Sequence, residues 1–379
     1  MVLFLHNRYR TTGGEERVVE DLMWLVREHL GEPAELLARD SAGLGRLRAA
    51  AGLLRGGSDP GEVAQAVRLT HARVVHAHNL QPALGWRALA AARAAGARIV
   101  LHLHQYRLVC AVGVCFTGGE ECTRCHGRDT LPGVRLNCRG SLSEAVAYGA
   151  SIALWQERLA GQADAVIVPS AFARERLREL GAPLPWGRVH VLAPPLRGSD
   201  RAVVSHAAAG AYALVVSRLS PEKGIDVAIE ACRMAGMPLV VAGDGPLELG
   251  LRARARGADV RFVGRVGDAE LARLRAGAAL ALAPSRSAET FGLAAAEAMA
   301  AGLPVAASSV GAMPELVEPA GLVPPGDPGA LAEAISRLAG DGEAGERGLR
   351  RVRELCSPGV VARALADVYG AGSPSPSRT

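Results

Sequence analysis

Two cations in one short turn have the chemistry to hold a phosphate. The chain contains 43 basic side chains, and every one of them except Lys223 is an arginine. Lys223 lies five residues after Arg218, where Pro221 and Gly224 favour a turn. An ammonium group is a compact point charge and a guanidinium group is a planar fork, so lysine suits a crowded anion better. We therefore expect Arg218 and Lys223 to bind a diphosphate; the alternative is a pair of solvated surface charges.

A second segment combines two carboxylates with the start of a helix. Glu289 follows a predicted strand over 279–282, and Glu297 comes eight residues later, inside the helix. The helix is expected to begin near Gly292 and to end at Gly302, because glycine suits a left-handed residue after a helix. The unpaired amide groups at the helix start, which would be open to a phosphate, belong to Phe291, Gly292 and Leu293.

Glu297 stands alone as a polar side chain between Leu293 and Ala301, so the helix should have no solvated face to carry its charge. A carboxylate is costly to bury unless a polar group meets it. The carboxylate oxygens can accept hydrogen bonds from two hydroxyl groups of a sugar ring. We therefore expect Glu297 to bind a ligand, and a solvated helix face is the alternative.

Two further signals are less specific. Gly13 and Gly14 follow the first predicted strand and open a helix, where the absence of a side chain lets a ligand approach the backbone. A tight turn would need the same residues. His104 lies just beyond a strand that ends at His102, and a histidine at a strand end can donate to a substrate in a cleft. A structural histidine is the competing interpretation.

The elements that must position these residues alternate regularly between strand and helix. Short, almost continuous apolar runs separated by helical patterns predict parallel sheets covered on both faces, hence an α/β fold. The predicted strands are 2–5, 34–38, 73–76, 98–102, 165–168, 189–192, 213–216, 239–242, 261–263, 279–282 and 305–307. Ligands of doubly wound sheets bind at the carboxyl ends of the strands, so we expect the site in a cleft between two domains.

The domain boundaries follow from composition. We predict a first domain over 1–196 with a cysteine-rich insertion at 110–138, a polar linker over 197–210, and a second domain over 211–356. A late helix within 357–372, roughly Pro358–Tyr369, should return to the first domain. The Ser- and Pro-rich tail 373–379 should be disordered.

Composition limits the possible environments. The 379 residues are 49% hydrophobic and 21% charged, with a net charge of +5. These values fit a soluble globular protein, and the mild positive charge favours anionic substrates or an anionic membrane surface. No apolar run is long enough to span a bilayer, and the first strand begins at the initiator methionine. We expect a cytoplasmic protein with reduced cysteines, and its charge is compatible with action at the inner face of the membrane.

A cluster of cysteines offers a metal site. Five of the seven cysteines fall between Cys110 and Cys138, and Cys122 and Cys125 form a C-x2-C pair. Four thiolates can bind structural Zn²⁺ tetrahedrally, and the predicted ligands are Cys110, Cys122, Cys125 and Cys138. Cys115 or His126 could replace one of them. Reduced thiols without a metal are the alternative.

The motifs described above resemble glycosyltransferase family 4, whose members share the GT-B fold of two Rossmann-like domains facing a cleft. The spacing of Glu289 and Glu297 matches the E-x7-E motif of that family. Further matches in the same order are Ser217-Arg218-Leu219, Glu222-Lys223-Gly224, Ala242-Gly243-Asp244-Gly245-Pro246 and Phe262-Val263-Gly264. Thr290 and Ala312 depart from the family pattern, where glycine is frequent. The resemblance covers nearly the whole chain and is strongest over 214–323.

The resemblance implies a retaining transfer of a hexose-type sugar from a nucleoside diphosphate sugar to a hydroxyl acceptor. It implies that Arg218 and Lys223 hold the diphosphate, that Glu289 contacts the donor sugar, and that Glu297 holds the ribose. It also implies that His104 lies beside the transferred sugar and that the remaining donor contacts are Gly13, Gly14, Val266, Phe291, Gly292 and Leu293. No Asp-x-Asp triplet occurs in the chain, so the chemistry should require no metal or other cofactor.

The identity of the base, sugar and acceptor stays open. A glycan, a lipid-linked precursor and a metabolite are all compatible with a hydroxyl acceptor, and nothing points to nucleic acid. A dehydrogenase would need G-x-G-x-x-G after its first strand, which the chain lacks there. A sugar-nucleotide epimerase of the same fold and a catalytically silent sugar-nucleotide-binding protein remain as alternatives.

Overall fold

The chain folds into two compact units. The computed structural model describes residues 1–8, 13–200 and 205–370. The first unit comprises Met1–Thr117, Cys122–Pro195 and the described residues from Pro358 onwards, and the second comprises Gly118–Glu121 and Leu196–Ser357. The last helix of the chain therefore belongs to the unit that begins the chain.

The first unit is built on a parallel sheet of six strands. The strands are β1 (Val2–Arg8), β2 (Ala34–Asp40), β3 (Val74–Ala77), β4 (Arg98–His102), β7 (Ala165–Val168) and β8 (Val189–Val191), and two short strands, β5 (Phe116–Thr117) and β6 (Glu120–Glu121), follow β4. Their order in the sheet is β2-β1-β3-β4-β7-β8, and every recorded pair is parallel. The order reverses between β1 and β3, which is where the carboxyl ends of such sheets open a crevice.

The helices of the first unit cover both faces of this sheet. They are α1 (Gly14–His29), α2 (Arg46–Arg55), α3 (Pro60–Thr70), α4 (Gly85–Ala94), α5 (Leu131–Arg135), α6 (Leu142–Gly161), α7 (Ala171–Glu179) and the late helix α15 (Pro358–Tyr369). Because helices pack on both faces, β3 and β7 are buried along their whole length. Each strand predicted in this half is present, and β1 differs most because it continues to Arg8 through the buried polar residues His6 and Asn7.

The second unit repeats the arrangement. Its strands are β9 (Tyr212–Val216), β10 (Leu239–Ala242), β11 (Val260–Gly264), β12 (Ala278–Ala283), β13 (Val305–Ser308) and β14 (Leu322–Val323), and they form a parallel sheet in the order β11-β10-β9-β12-β13-β14. The order reverses between β9 and β12. Every strand predicted in this half is present, and β14 was missed because two residues carry no periodic pattern.

The helices of the second unit are α8 (Ile225–Ala235), α9 (Glu248–Arg254), α10 (Asp268–Ala276), α11 (Leu293–Ala300), α12 (Met313–Leu316), α13 (Pro328–Leu338) and α14 (Gly342–Cys356). Short 3₁₀ turns occupy Trp186–Arg188, Ala207–Ala209, Pro221–Lys223 and Pro319–Gly321. Within the described residues, no helix combines the length and the apolar character that crossing a bilayer requires.

The segment predicted as a linker is tied to the second unit by hydrogen bonds on both sides of its undescribed part. Arg353 Nε donates to Ser199 O at 2.9 Å, and Ser205 Oγ donates to Gly302 O at 2.7 Å. Ala207 is fully buried. The described parts of 197–210 are therefore packed chain, whereas 201–204 and the tail 373–379 lie outside the described residues.

Candidate functional site

Lys223 and Glu289 meet where the second sheet reverses its order. Lys223 follows β9 and Glu289 follows β12, and the two strands are neighbours. Lys223 Nζ donates to Glu289 Oε1 at 2.5 Å, and Ser285 Oγ donates to the same oxygen at 2.6 Å. Only 25% of the lysine side chain and 19% of the glutamate side chain are exposed. Two residues 66 positions apart thus form one charged pair at the predicted edge of the sheet.

The charge state of Glu289 follows from this contact. Burial opposes its ionisation, but the Lys223 ammonium and the Ser285 hydroxyl outweigh burial and hold the pKa of Glu289 below its usual value. Glu289 is therefore a carboxylate at neutral pH. The contact with this carboxylate holds the Lys223 ammonium in one position.

Arg218 is anchored by a partner that the sequence did not identify as one. Its Nη2 donates to Glu222 Oε1 at 2.5 Å, and Ser220 Oγ donates to the same oxygen at 2.6 Å. The Glu222 side chain is 8% exposed, whereas the Arg218 side chain is 55% exposed. Glu222 thus fixes the guanidinium in the turn after β9 while much of Arg218 remains accessible to a ligand.

The loops after β9 and β12 are joined by more than the charged pair. Arg286 donates to both carboxylate oxygens of Asp226 at 2.8 Å, and its backbone N–H donates to Glu222 O at 2.8 Å. Gly224 has φ +64°, and a β-carbon there would lie 2.0 Å from Pro284 O. Glycine is therefore required at 224, both for its left-handed backbone and for the close approach of the two loops.

Glu297 lies on α11 and forms a charged pair with Arg275 of α10. Arg275 Nη2 donates to Glu297 Oε2 at 2.5 Å, and both side chains are largely buried. The premise that this helix has no solvated face was wrong, because Ala294 is exposed and Leu293 is half-buried on the side that carries Glu297. The sequence did not reveal that face because its residues other than Glu297 are alanine and leucine, which also occur on buried faces. Arg275 lies in the last turn of its helix, and nothing in the sequence except its charge indicated that it would pair with Glu297.

The other residues predicted to contact a donor in the second unit follow strands of its sheet. Val266 is half-buried in the turn between β11 and α10, and Phe291 is 8% exposed. Gly292 precedes α11 with φ +96°, and Leu293 is its first residue. Gly302 has φ +77°, which confirms the predicted left-handed residue after the helix. These residues follow β11 and β12, so their place at the carboxyl edge results from the parallel strands.

Gly13 and Gly14 lie in the first unit at the start of α1. Gly13 precedes the helix in an extended conformation, and its backbone N–H donates to Glu16 Oε2 at 2.8 Å. Gly14 is the first helical residue. Thr11 and Thr12, which precede them in the sequence, lie outside the described residues.

His104 lines a cavity at the carboxyl edge of the first sheet. The cavity has a volume of about 60 Å³, and its lining also includes Glu15, Asn79 and Gln81. His78 Nδ1 lies 2.8 Å from His104 Nε2, so one of these nitrogens donates to the other. Burial lowers the pKa of His104; Glu15 opposes this lowering, and His6 adds to it. His104 is therefore neutral near pH 7.

His104 is the outermost member of a buried ladder of imidazoles. His76 lies in β3 and His78 follows it, while His102 ends β4 and His104 follows it. Neighbouring rings have centroids 4.3–5.3 Å apart and are stacked or tilted. Tyr369 Oη lies 2.7 Å from His76 Nδ1, and His76 Nε2 lies 3.2 Å from His102 Nδ1. Burial lowers the pKa of His76 to about 3. This ladder was not predicted, although histidines two apart in one strand share a face; the register of β3 and β4 puts both pairs on the same face.

The predicted cysteine ligands come together in the first unit. Cys110, Cys115, Cys122, Cys125 and Cys138 all line one cavity, and none of them forms a disulfide. His126 is absent from that lining, and its ring packs against Gly181, where a β-carbon would lie 2.5 Å from Cε1. The cavity therefore gathers the four predicted thiols and Cys115, but not His126.

Comparisons with known proteins agree with this architecture. Residues 8–195 match the family described as "Glycosyl transferase 4-like domain", and residues 210–341 match the family described as "Glycosyl transferases group 1". Together the two matches cover most of the chain. A solved structure of HepE from Anabaena with UDP and glucose has a TM-score of 0.65 at 18% identity, over 98% of this chain and 99% of that one.

Sucrose-phosphate synthase from Thermosynechococcus elongatus has a TM-score of 0.69 at 19% identity, over 98% of both chains. Among curated proteins, a GDP-mannose-dependent alpha-(1-6)-phosphatidylinositol dimannoside mannosyltransferase of Mycobacterium tuberculosis is 35% identical over 52% of this chain and 54% of its own length. A phosphatidyl-myo-inositol mannosyltransferase of Mycobacterium leprae is 33% identical over 48% of this chain and 51% of its own length. The matched region thus spans about half the length of these curated relatives. The family matches and the two parallel-sheet units show that the chain belongs to the family 4 glycosyltransferases and is an enzyme of the GT-B fold.

Proposed function

We propose that the enzyme transfers a hexose from a nucleoside diphosphate sugar to a hydroxyl group with retention of configuration at the anomeric carbon. The observation that carries this proposal is the Lys223–Glu289 pair at the carboxyl ends of β9 and β12, with Arg218 on the same loop as Lys223. That arrangement places cationic donors beside a carboxylate. A nucleoside diphosphate sugar is complementary to this arrangement, because its diphosphate suits the cations and the hydroxyl groups of its sugar suit the carboxylate.

The donor side of the reaction needs positive charge at the leaving group. When the bond between the anomeric carbon and the phosphate oxygen breaks, negative charge accumulates on the diphosphate. Lys223 and Arg218, held in place by Glu289 and Glu222, would stabilise that charge without reorganising. Glu289 would also accept hydrogen bonds from the donor sugar. Glu297, oriented by Arg275, would accept the ribose hydroxyls.

The acceptor side of the reaction needs a place for a hydroxyl group. We assign the acceptor to the cavity beside His104, whose neutral imidazole can exchange a hydrogen bond with a sugar hydroxyl. The acceptor oxygen bonds to the anomeric carbon on the face from which the diphosphate departs, and its proton passes to the departing phosphate oxygen. No metal is needed in this scheme, because cationic side chains carry the charge of the leaving group.

The acceptor class that we propose is a lipid-linked glycan or glycolipid. The two mycobacterial relatives are named for acceptors that carry a phosphatidylinositol. In this chain, α2 exposes 88% of Leu47 and 47% of Leu54 beside the exposed side chains of Arg46, Arg48 and Arg55. Apolar residues flanked by arginines are typical of a helix lying on an anionic lipid surface. The wild-type protein should cosediment with anionic vesicles and not with neutral ones. Leu47→Glu should reduce the cosedimentation with anionic vesicles.

A donor screen followed by product analysis tests the transferase proposal. A cognate nucleoside diphosphate sugar should raise the melting temperature, because a ligand that binds only the folded state stabilises that state. The same donor should then be consumed when a hydroxyl acceptor is present, in buffer containing EDTA. The anomeric proton coupling of the product, compared with that of the donor, reports retention or inversion. Inversion, or transfer abolished by EDTA and restored by a divalent ion, would contradict the scheme.

A further inference from the structure

The cysteine-lined cavity lies in the part of the first unit with the least regular structure. Between β4 and α6 the chain forms only two strands of two residues and one helix of five. Five of the seven cysteines lie in this segment, and all five line a cavity of about 20 Å³. A volume of this size accommodates one occupant about as large as a water molecule. The other lining residues are small or apolar, except for Thr117.

We propose that Cys110, Cys122, Cys125 and Cys138 bind one structural Zn²⁺ in this cavity. Thiolates are soft ligands that favour zinc, and four of them complete its tetrahedral shell. The C-x2-C pair supplies two ligands from one irregular segment after β6, and the outlying cysteines supply one from each side of it. Binding replaces four S–H bonds by four Zn–S bonds and releases the thiol protons to solvent.

Cys115 is the member of the cluster that we leave outside the ligand set. Its backbone has φ +49°, and its side chain is 1% exposed. The Cys115 thiol lies beside that of Cys110 in the cavity lining, so Cys115 packs directly against the proposed ligand set. A ligand set drawn from 110, 122, 125 and 138 leaves Cys115 as a packing residue against it. This choice makes Cys115 the matched control for the cluster.

The thiols have to draw closer together to bind zinc. Zn–S bonds of about 2.3 Å place tetrahedral sulfur atoms about 3.8 Å apart. Among the described residues, the set of three or more metal-binding side chains whose ligand atoms all lie within 4.8 Å is His76, His78 and His102. The nitrogens of His76, however, already exchange hydrogen bonds with Tyr369 and His102. A metal there would have to displace these contacts of His76, whereas in the cysteine cavity it would occupy open space.

Zinc at this place would stabilise the segment that carries the acceptor cavity. Cys110 follows His104 by six residues, and Arg107, between them, lines the cavity at His104. Without a metal, the segment after β4 depends on a few buried apolar side chains such as Tyr106 and Val109. A four-thiolate ion links its two ends directly. Metal loss should therefore lower the stability of the first unit before it affects donor binding.

Metal analysis of the full-length chain tests the zinc proposal. The protein is purified with reductant and without chelator, and zinc is measured by mass spectrometry. We expect about one zinc per chain in the wild type and in Cys115→Ser, and much less in Cys125→Ser. In cobalt-substituted protein, thiolate-to-cobalt charge-transfer bands should appear in the wild type and in Cys115→Ser.

The possible loss of folding in Cys125→Ser is covered by a second measurement on the wild type. A strong chelator should lower its melting temperature, and added zinc should restore it. Wild-type protein with negligible zinc and no response to added zinc would overturn the proposal. So would zinc that stays in Cys125→Ser but is lost in His102→Phe, since that result would assign the ion to the histidines.

A recess beside the His104 cavity contains buried polar groups without a protein partner. Gln156 on α6 is 3% exposed, and neither its amide nitrogen nor its oxygen has a hydrogen bond to the described residues. Gln81 Oε1 and Trp86 Nε1 are likewise buried without a partner there. All three side chains line one recess of about 30 Å³, together with Trp155. A buried amide without a hydrogen-bond partner destabilises the folded state, so an occupant is expected.

From this recess we infer a subsite for the hydroxyl groups of an acceptor sugar, an inference that rests on the proposed function. The recess and the His104 cavity share Gln81, Arg107 and Leu108 in their linings, so they are neighbours. About 30 Å³ accommodates two water-sized groups, which is the edge of a sugar ring rather than a whole ring. Gln156 offers both a donor and an acceptor, and Trp86 offers a donor and an apolar face.

Replacing Gln156 by Met tests the subsite because it removes the polar groups at nearly constant volume. We expect Gln156→Met to raise the melting temperature and to raise the KM for the acceptor about tenfold, with the donor KM unchanged. A higher melting temperature with an unchanged acceptor KM would mean that the recess holds water only. A lower melting temperature would show that the Gln156 amide has stabilising hydrogen-bond partners, which would contradict the inference. If the protein transfers no sugar at all, the melting temperature still reports on the recess separately from the proposed function.

Discussion

The single lysine of the chain allows its contribution to be measured in isolation. Lys223→Ala removes the ammonium that lies 2.5 Å from Glu289 and, by proposal, contacts the diphosphate. Losing one preorganised donor typically costs about 10²–10³ in turnover, or about 2.7–4 kcal/mol of transition-state stabilisation. Lys223→Arg should also be poor, because a planar fork does not reproduce a compact charge. Initial rates at saturating donor measure both effects.

A double-mutant cycle can distinguish contact between Lys223 and the diphosphate from a purely structural role of Lys223. If the lysine only pairs with Glu289, its removal should cost nothing once Glu289→Gln has removed the carboxylate charge. If it also contacts the leaving group, Lys223→Ala should weaken nucleoside diphosphate binding about tenfold or more in both backgrounds. Calorimetry with the free nucleoside diphosphate measures this directly. A penalty that disappears in the Glu289→Gln background would refute the proposed contact.

The same lysine can also be observed spectroscopically. Reductive methylation with a ¹³C label keeps the positive charge and gives one side-chain signal, from Lys223, besides that of the N-terminus. A nucleoside diphosphate should shift that signal, and the corresponding nucleoside without phosphates should not. Equal shifts from both ligands would show that the amine does not contact the diphosphate.

Three further predictions concern the surroundings of the site. Gly224→Ala should destabilise the protein by about 1–3 kcal/mol more than Gly236→Ala. Both glycines have φ +64°, but only at 224 would a β-carbon collide with a carbonyl oxygen, so equal losses in chemical denaturation would contradict this account. Burial holds the pKa of His102 well below its ordinary value of 6.5, so the unfolded chain binds more protons below that pH. The stabilising contribution of the neutral His102 imidazole should therefore be fully present above pH 6.5 and decline as the pH falls below it. His102→Phe should flatten the dependence of the melting temperature on pH, and an unchanged slope would count against a buried neutral imidazole. Arg275→Ala should raise the donor KM about tenfold by releasing Glu297 from its orienting contact. An unchanged KM in initial-rate measurements would limit Arg275 to a structural role.

The positions of the strands were readable from the sequence because burial on both faces leaves a local signature. A parallel strand covered by helices on both sides must be apolar at almost every position, and such runs stand out from the helical patterns between them. The exceptions have physical reasons. Strand β1 continues through His6 and Asn7, which are buried despite their polarity, and β14 is only two residues long.

The candidate site was readable only in part. The residue types and spacings indicated Lys223, Glu289 and Glu297, but not which charges would neutralise one another. Glu222 and Arg275 were overlooked as partners because a salt bridge between separate elements leaves no periodic trace. The exposed face of α11 was hidden because alanine occurs both on buried and on solvated faces. The histidine ladder depends on the adjacency and the register of β3 and β4, which the spacing of the histidines does not specify.

By itself the sequence determined the two doubly wound units, the family and the left-handed glycine that ends α11, since hydrophobic period and backbone preference act over a few residues. The tertiary structure alone decided that Lys223 meets Glu289, that Arg275 meets Glu297 and that five cysteines face one cavity. Those contacts depend on sheet order and on helix packing across many residues. Electrostatic energy and burial are properties of neighbours in space, so they became visible only once the chain was folded.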